Sequence, residues 1–332
     1  MWFEELIGFK EVNPKQVRGN IEIVDNKLVS KVNNREFIFG RLETPSLEEL
    51  RNDPALSLKD YHAQIKVSEV VGDIQAIHQE PSNNSAVIQV ASQFNLLEMM
   101  SPERIPEDGV GIYQYDATQG PACAIACGAG TIYRNYFVDV DGQSGQTASR
   151  QIDCLRDIGN ELENDRYNHW EMKNGYALAS REGLKSINNR IRALSENDYE
   201  DLKGKLRVGV QWDSEVTISN NGNLITQVYC SALPVAYSRV EKELWTDFAK
   251  MILEATYEAT LYLALKNYQR ANNNRVYLTL IGGGAFGNDK EWIMSAIGKS
   301  IRKFSKTPLD IQIVSYRRPD PDLKRFLESI KM

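Results

Sequence analysis

Apolar positions along this chain follow two spacings, and these predict an alternation of strands and helices. Short β-rich runs come first, at Ile21–Val24 and at residues 36–39. A polar helical stretch then begins near Ser46, with Glu48 and Glu49 in its first turn. Residues 65–71 read as a strand that stops at Gly72-Asp73. The run Ala86-Val87-Ile88-Gln89-Val90-Ala91 is almost continuously apolar, as expected of a strand covered on both faces. After a loop-like stretch from Ser92 to Gln119, Gly120-Pro121 opens a helix of very small residues. Residues 143–205 are charged and mostly helix-compatible, which predicts an inserted helical subdomain within one elaborated domain spanning 1–332. Strands follow at 206–212 and 215–218, then the Asn221-Gly222 turn and a returning strand at 224–231. Leu244, Phe248, Met251, Ile252, Ala255 and Ala259 keep a spacing of three or four and predict a long core helix over 241–266. A strand over 276–281, a helix over 291–304, a strand over 309–316 and a tail helix complete an α/β layered pattern.

The strand over 276–281 runs into Gly282-Gly283-Gly284-Ala285-Phe286-Gly287-Asn288. Consecutive glycines bring main-chain N–H groups close to a ligand, and a following helix start adds unpaired donors and a positive dipole end. A phosphate or pyrophosphate is the natural guest. The loop has neither the Gly-Lys-Ser/Thr of a P-loop nor G-x-G-x-x-G spacing. The small-residue helix from Gly120 is a second candidate cradle.

Composition narrows the class. The net charge of −6 argues against a general nucleic-acid binder. Four cysteines without a CxxC pair and three scattered histidines, His62, His78 and His169, predict no metal site. No run of about 18 apolar residues and no basic, apolar leader occur, so a soluble, cytoplasmic protein without membrane contact is expected.

Three segments together resemble the macrodomain superfamily, in particular its poly(ADP-ribose) glycohydrolase-like branch. Val71-Gly72-Asp73-Ile74 is similar to the family's Gly-Asp-Ile signature, Val87 to Asn95 to the strand and loop bordering the distal ribose, and Gly282 to Asp289 to the phosphate loop. The similarity covers about residues 60–140 and 205–325. It implies a three-layer α/β/α mixed sheet and a metal-free, cofactor-free site for ADP-ribose or an ADP-ribosylated protein. Asp73 and Ile74 would hold the adenine, Gly120 and residues 282–288 the diphosphate, and Asn95 and Gln119 the ribose hydroxyls. The Gln-Glu-Glu catalytic segment of the glycohydrolases has no counterpart, since residues 120–135 contain no Glu or Asp. Hydrolysis at the anomeric carbon needs a carboxylate, and the acids leading into the small helix supply Asp116 and, second, Asp108. Both residues also suit simple turns and caps. Arg134 would neutralise phosphate or pair with a carboxylate, and Phe286 would shield the diphosphate or fill the core. The expected function is release of ADP-ribose from a mono-ADP-ribosylated protein or small conjugate, with a non-catalytic ADP-ribose reader as the alternative.

Overall fold

A computed structural model describes residues 1–330. Its central sheet has seven strands: β1 (Arg41–Glu43), β2 (Lys66–Val71), β3 (Val87–Ala91), β4 (Gly209–Glu215), β5 (Leu224–Cys230), β6 (Arg275–Leu278) and β7 (Asp310–Ser315). Across the sheet the order is β1-β4-β5-β3-β6-β7-β2. The run from β5 to β2 is parallel throughout, whereas β4 pairs antiparallel with both β5 and β1. Five strand ends, at Cys230, Ala91, Leu278, Ser315 and Val71, therefore share one edge. Ligands of open α/β sheets bind outside such carboxyl ends.

The main helices are α1 (Ile74–Gln79), α2 (Gln119–Ala126), α3 (Gly128–Tyr136), α4 (Arg181–Ala193), α5 (Lys242–Ala271), α6 (Lys290–Lys303) and α7 (Pro321–Ser329). Side chains alternate along β5, and so do their partners. Thr226 donates to Asn267 of α5 at 3.1 Å, and Cys230 reaches Thr260 of the same helix. On the opposite face Gln227 donates to Cys123 O of α2 at 2.8 Å, and the Arg134 guanidinium of α3 lies 3.7 Å from the Tyr229 ring. Helices thus cover both faces, and the expected three layers are present. β3 is fully enclosed between them, with Val87, Ile88 and Val90 at 0 % exposure.

Helix α5 is longer than its periodic stripe predicts and is buried on nearly all sides. It consequently carries acids inside. Glu254 is matched by Lys299 at 2.5 Å, and Glu258 by Arg51 at 2.6 Å and Lys303 at 2.5 Å. Such pairing is what makes a buried charge tolerable. Among the described residues no helix is long and apolar enough to cross a membrane.

Two regions differ from the expectation. Of the strands expected at 206–212 and 215–218 only one forms, β4, whose bulge between Gln211 and Ser214 places Asp213 at φ 52°, and residues 216–218 lie in the turn that follows it. Residues 143–205 are not purely helical, because Trp170–Lys173 and Tyr176–Ala179 form a hairpin about Asn174-Gly175. The N-terminal 40 residues add a three-stranded sheet and a second apolar core. In that core Phe3, Ile7 and Phe37 pack with Leu97, Met99 and Tyr113.

His78 of α1 is buried between helix and sheet, with Nδ1 2.7 Å from Ile74 O and Nε2 3.0 Å from Gln227. Burial lowers its pKa from 6.5 to about 4, against the opposing pull of the Ile74 carbonyl and the Asp73 charge. A depressed base contributes stability that is full above about 6.5 and is lost as pH falls towards about 4, on the order of 3 kcal/mol in all. The ring should stay neutral at pH 5.5 by NMR, and a titration centred near 6.5 would contradict this.

Candidate functional site

The loop that leaves β3 turns sharply through Gln93 to Leu97. Ser92 Oγ donates to Leu97 O at 3.2 Å, Leu97 N to Asn95 Oδ1 at 3.1 Å, and Met99 N to Gln93 Oε1 at 2.8 Å. Leu96 sits at φ 64°, a left-handed conformation that costs a leucine roughly 1–2 kcal/mol. It is held there by Arg134, fully buried, whose Nε donates to Leu96 O at 3.1 Å. Backbone strain of this kind persists where surrounding structure over-determines it.

What the turn presents is Glu98. Its carboxyl is 2 % exposed, lines a cleft at the carboxyl edge of the sheet, and leaves Oε1 without a hydrogen-bond partner among the described residues. Burial pushes its pKa well above the ordinary carboxylate range, opposed by the Ser92 hydroxyl and the Arg134 charge and reinforced by Asp116. Glu98 N donates to the Tyr113 hydroxyl at 3.0 Å, so the residue is fixed from behind.

The cleft and its open mouth together hold about 720 Å³, of which about 150 Å³ can be occupied by water-sized groups. Two sets of backbone donors face it. One is the start of α2, which is pinned to the end of β3 because Gln119 accepts from Ala91 N at 2.8 Å and donates to Gln89 O at 2.9 Å. Gly120 is required at this approach: a Cβ there would lie 2.1 Å from Ala91 O and 2.2 Å from Glu98 Oε2. The other is the glycine loop after β6. Tyr257 shapes its root by donating to Thr279 O at 2.7 Å and accepting from Ile281 N at 3.0 Å. Among the described residues the N–H groups of Gly282, Gly284, Ala285 and Phe286 meet no protein acceptor, which leaves them for an anion. Gly282 needs glycine for its φ of 73° and for its contact with Asn288, whereas a Cβ on Gly284 would meet open space.

Phe286, Tyr176 and Tyr237 form one wall of the cleft, with ring centroids 5.1 to 5.5 Å apart. Tyr176 comes from the hairpin in the 143–205 segment, and its hydroxyl donates to Met99 O at 2.6 Å, beside Glu98. A second groove, lined by Val314, Ser315, Tyr316, Lys290 and Arg318, shares Thr279 and Leu280 with the cleft and runs past the end of β7.

The structure brings Asp116, Gln119, Gly120, Gly282, Gly284, Ala285 and Phe286 into the cleft. Asp116 also accepts from Thr118 N at 2.9 Å, so it caps the approach to α2 while lining the site. Asp108 does not belong here. It is exposed, closes a turn by accepting from Ile105 N at 3.2 Å, and lies 3.6 Å from Arg104. Asn95 is buried behind the loop, donating to Gln151 at 2.8 Å, because its polar ends are consumed in shaping the turn. Asn288 is likewise a staple, donating to Leu233 O at 2.8 Å. Gly283 closes a turn onto Leu280 O, and Gly287 sits at φ 71° against Ala236. Asp73 and Ile74 lie outside the enclosed cleft, at the end of β2 on the same sheet edge, where Asp73 accepts from Gln75 N at 2.8 Å and caps α1. Arg134 touches neither phosphate space nor a carboxylate within salt-bridge distance; it supports the Glu98 loop instead.

Glu98 is absent from the sequence-based candidates. The signal that marks it is a single acid inside the apolar run Leu96-Leu97-Glu98-Met99-Met100. The Tyr176 hairpin carried the Asn-Gly turn signal at Asn174-Gly175.

No family model matches this chain, and no curated protein matches it. Its structure is similar to that of poly(ADP-ribose) glycohydrolase from Deinococcus radiodurans in complex with ADP-ribose, with a TM-score of 0.47 and 12% identity over 87% of this chain and 94% of that one. It is also similar to the poly(ADP-ribose) glycohydrolase from Thermomonospora curvata, with a TM-score of 0.44 and 10% identity over 94% and 93% of the two chains.

Proposed function

We propose that this chain is a macro-type hydrolase that binds ADP-ribose along the carboxyl edge of its sheet and cleaves the glycosidic bond at the distal ribose. The observation that carries this reading is a buried carboxyl with a free oxygen, Glu98, lining the same cleft as the unpaired backbone N–H groups of Gly282, Gly284, Ala285 and Phe286. The diphosphate lies between the glycine loop and the start of α2, the adenosine half follows the groove past Ser315, and Asp73 reads the adenine amino group. The anomeric carbon then faces Glu98.

A carboxyl kept protonated towards neutral pH is a general acid. Glu98 gives its proton to the leaving atom as the bond from the anomeric carbon breaks. The resulting carboxylate stabilises the oxocarbenium-like centre and takes a proton from the attacking water, so one water is consumed and Glu98 is restored. Burial, reinforced by the Asp116 charge, keeps Glu98 protonated, and Asp116 orients the approach to α2 by accepting from Thr118 N.

The acceptor is a protein side chain or a small group carrying a single ADP-ribose. The cleft is lined by the Asp116 carboxylate and by no Lys or Arg, so the next phosphates of a polymer would meet uncompensated negative charge. Release of ADP-ribose should therefore be faster from mono-ADP-ribosylated protein than from polymer. A preference for polymer would overturn the substrate assignment, and binding without release from any conjugate would identify a reader instead. By calorimetry, Gly284→Val and Asp73→Ala should each weaken ADP-ribose at least about tenfold with the fold retained, the first by filling ligand space and the second by losing a charged hydrogen bond. Unchanged affinity in either variant would reject that contact.

A further inference from the structure

Glu11 lies in the N-terminal segment, outside the cleft, yet its carboxylate gathers three donors from elements that lead to the site. Oε1 accepts from Val110 N at 2.9 Å and from the Tyr136 hydroxyl at 2.6 Å, and Oε2 accepts from Gly111 N at 2.6 Å. The chain approaches so closely that a Cβ on Gly109 or Gly111 would fall 2.5 or 2.7 Å from Glu11 Oε2. Val110 and Gly111 open the short helical turn Gly111–Tyr115, which carries Tyr113 and ends at Asp116. The Tyr113 hydroxyl in turn accepts the Glu98 N–H at 3.0 Å. Leu97 and Met99, on either side of Glu98, are buried in the apolar core that the same N-terminal segment builds.

We propose that Glu11 is a positioning residue, and that through Val110, Gly111 and Tyr113 it locks the loop that aims Glu98 into the cleft. The inference rests on the reading of Glu98 as the catalytic carboxyl. The N-terminal 40 residues are then part of the machinery rather than an appendage, although none of them lines the cleft. A carboxylate is needed because three donors converge on two oxygens. A glutamine of the same shape offers one acceptor oxygen and sets its own N–H groups against a backbone donor.

Glu11→Gln tests this with almost no change of volume. A small misplacement of a catalytic group costs on the order of 10- to 100-fold in rate, so kcat should fall at least about tenfold. ADP-ribose affinity should change less than about twofold, since the diphosphate contacts are untouched. Amide hydrogen exchange at residues 97–99 and 111–116 should accelerate at least about tenfold. Glu36→Gln, on an exposed strand of the same N-terminal sheet, should leave all three readouts as in the parent protein. Exchange unchanged at Glu98 in Glu11→Gln, or affinity and kcat falling together, overturns the proposal. If Glu98→Gln keeps its activity, the catalytic reading fails on its own, and the exchange measurement still decides whether Glu11 holds the loop.

Discussion

Replacing Glu98 with glutamine is expected to lower the rate of ADP-ribose release by about 10²- to 10⁴-fold, the span that general acid–base catalysis supplies, while ADP-ribose still binds. Glutamine preserves the shape and removes only the proton that is donated and recovered. The same substitution should raise stability at neutral pH. A buried carboxyl with a raised pKa contributes stability that is present below about 4.5 and is lost as pH rises through its folded value. Near neutral pH the parent protein bears either the cost of ionising Glu98 in a buried site or that of keeping it protonated, and the amide bears neither. Urea midpoints measured against pH should therefore show the variant more stable near pH 7 and the advantage shrinking towards pH 4. Lost activity together with gained stability is the signature of a group kept for function at the expense of the fold. A variant that stays active, or one that loses stability at neutral pH, would show that Glu98 is a structural acid.

Arg134→Met should cost about 3 kcal/mol or more of stability, read from the urea midpoint, because a fully buried cation is replaced and its partners are stranded. Leu96 O loses its donor at 3.1 Å, Thr131 loses one at 3.1 Å, and the Tyr229 ring loses the guanidinium that lies 3.7 Å from its centroid. The left-handed turn at Leu96 then has less to hold it. Removal of the charge that lowers Glu98's proton affinity should also move the Glu98 limb of the pH–rate profile upwards. A loss below about 1 kcal/mol with an unmoved profile would contradict both roles.

The sheet was largely legible in the sequence because its central strands are buried on both faces. Runs such as 86–91 and 276–281 are apolar at nearly every position, and no helix pattern competes with them. The turn after β6 was legible for a related reason, since unusual backbone needs unusual residues, as at Gly282 and Gly287 with φ of 73° and 71°. Glu98 was not, because what singles it out is burial rather than a motif. A stretch that reads only as loop-like folds back through Asn95, Leu96 and Arg134, and these contacts span 38 residues of chain in the case of Arg134. Asn95 and Asn288 were hidden for the same reason: in the fold the Asn95 amide donates to Gln151 and accepts from Leu97 N, and the Asn288 amide nitrogen donates to Leu233 O. Asp108 illustrates the opposite error, in which an acid near the site proves to be a turn former.

A structure of the Glu98→Gln protein with an ADP-ribosylated peptide bound tests the central claim most directly. The account predicts the diphosphate against the N–H groups of Gly282 to Phe286 and the anomeric carbon within about 4 Å of the residue 98 side chain, close to attack distance. A diphosphate seated away from the glycine loop, or an anomeric carbon turned towards Asp73, would contradict it.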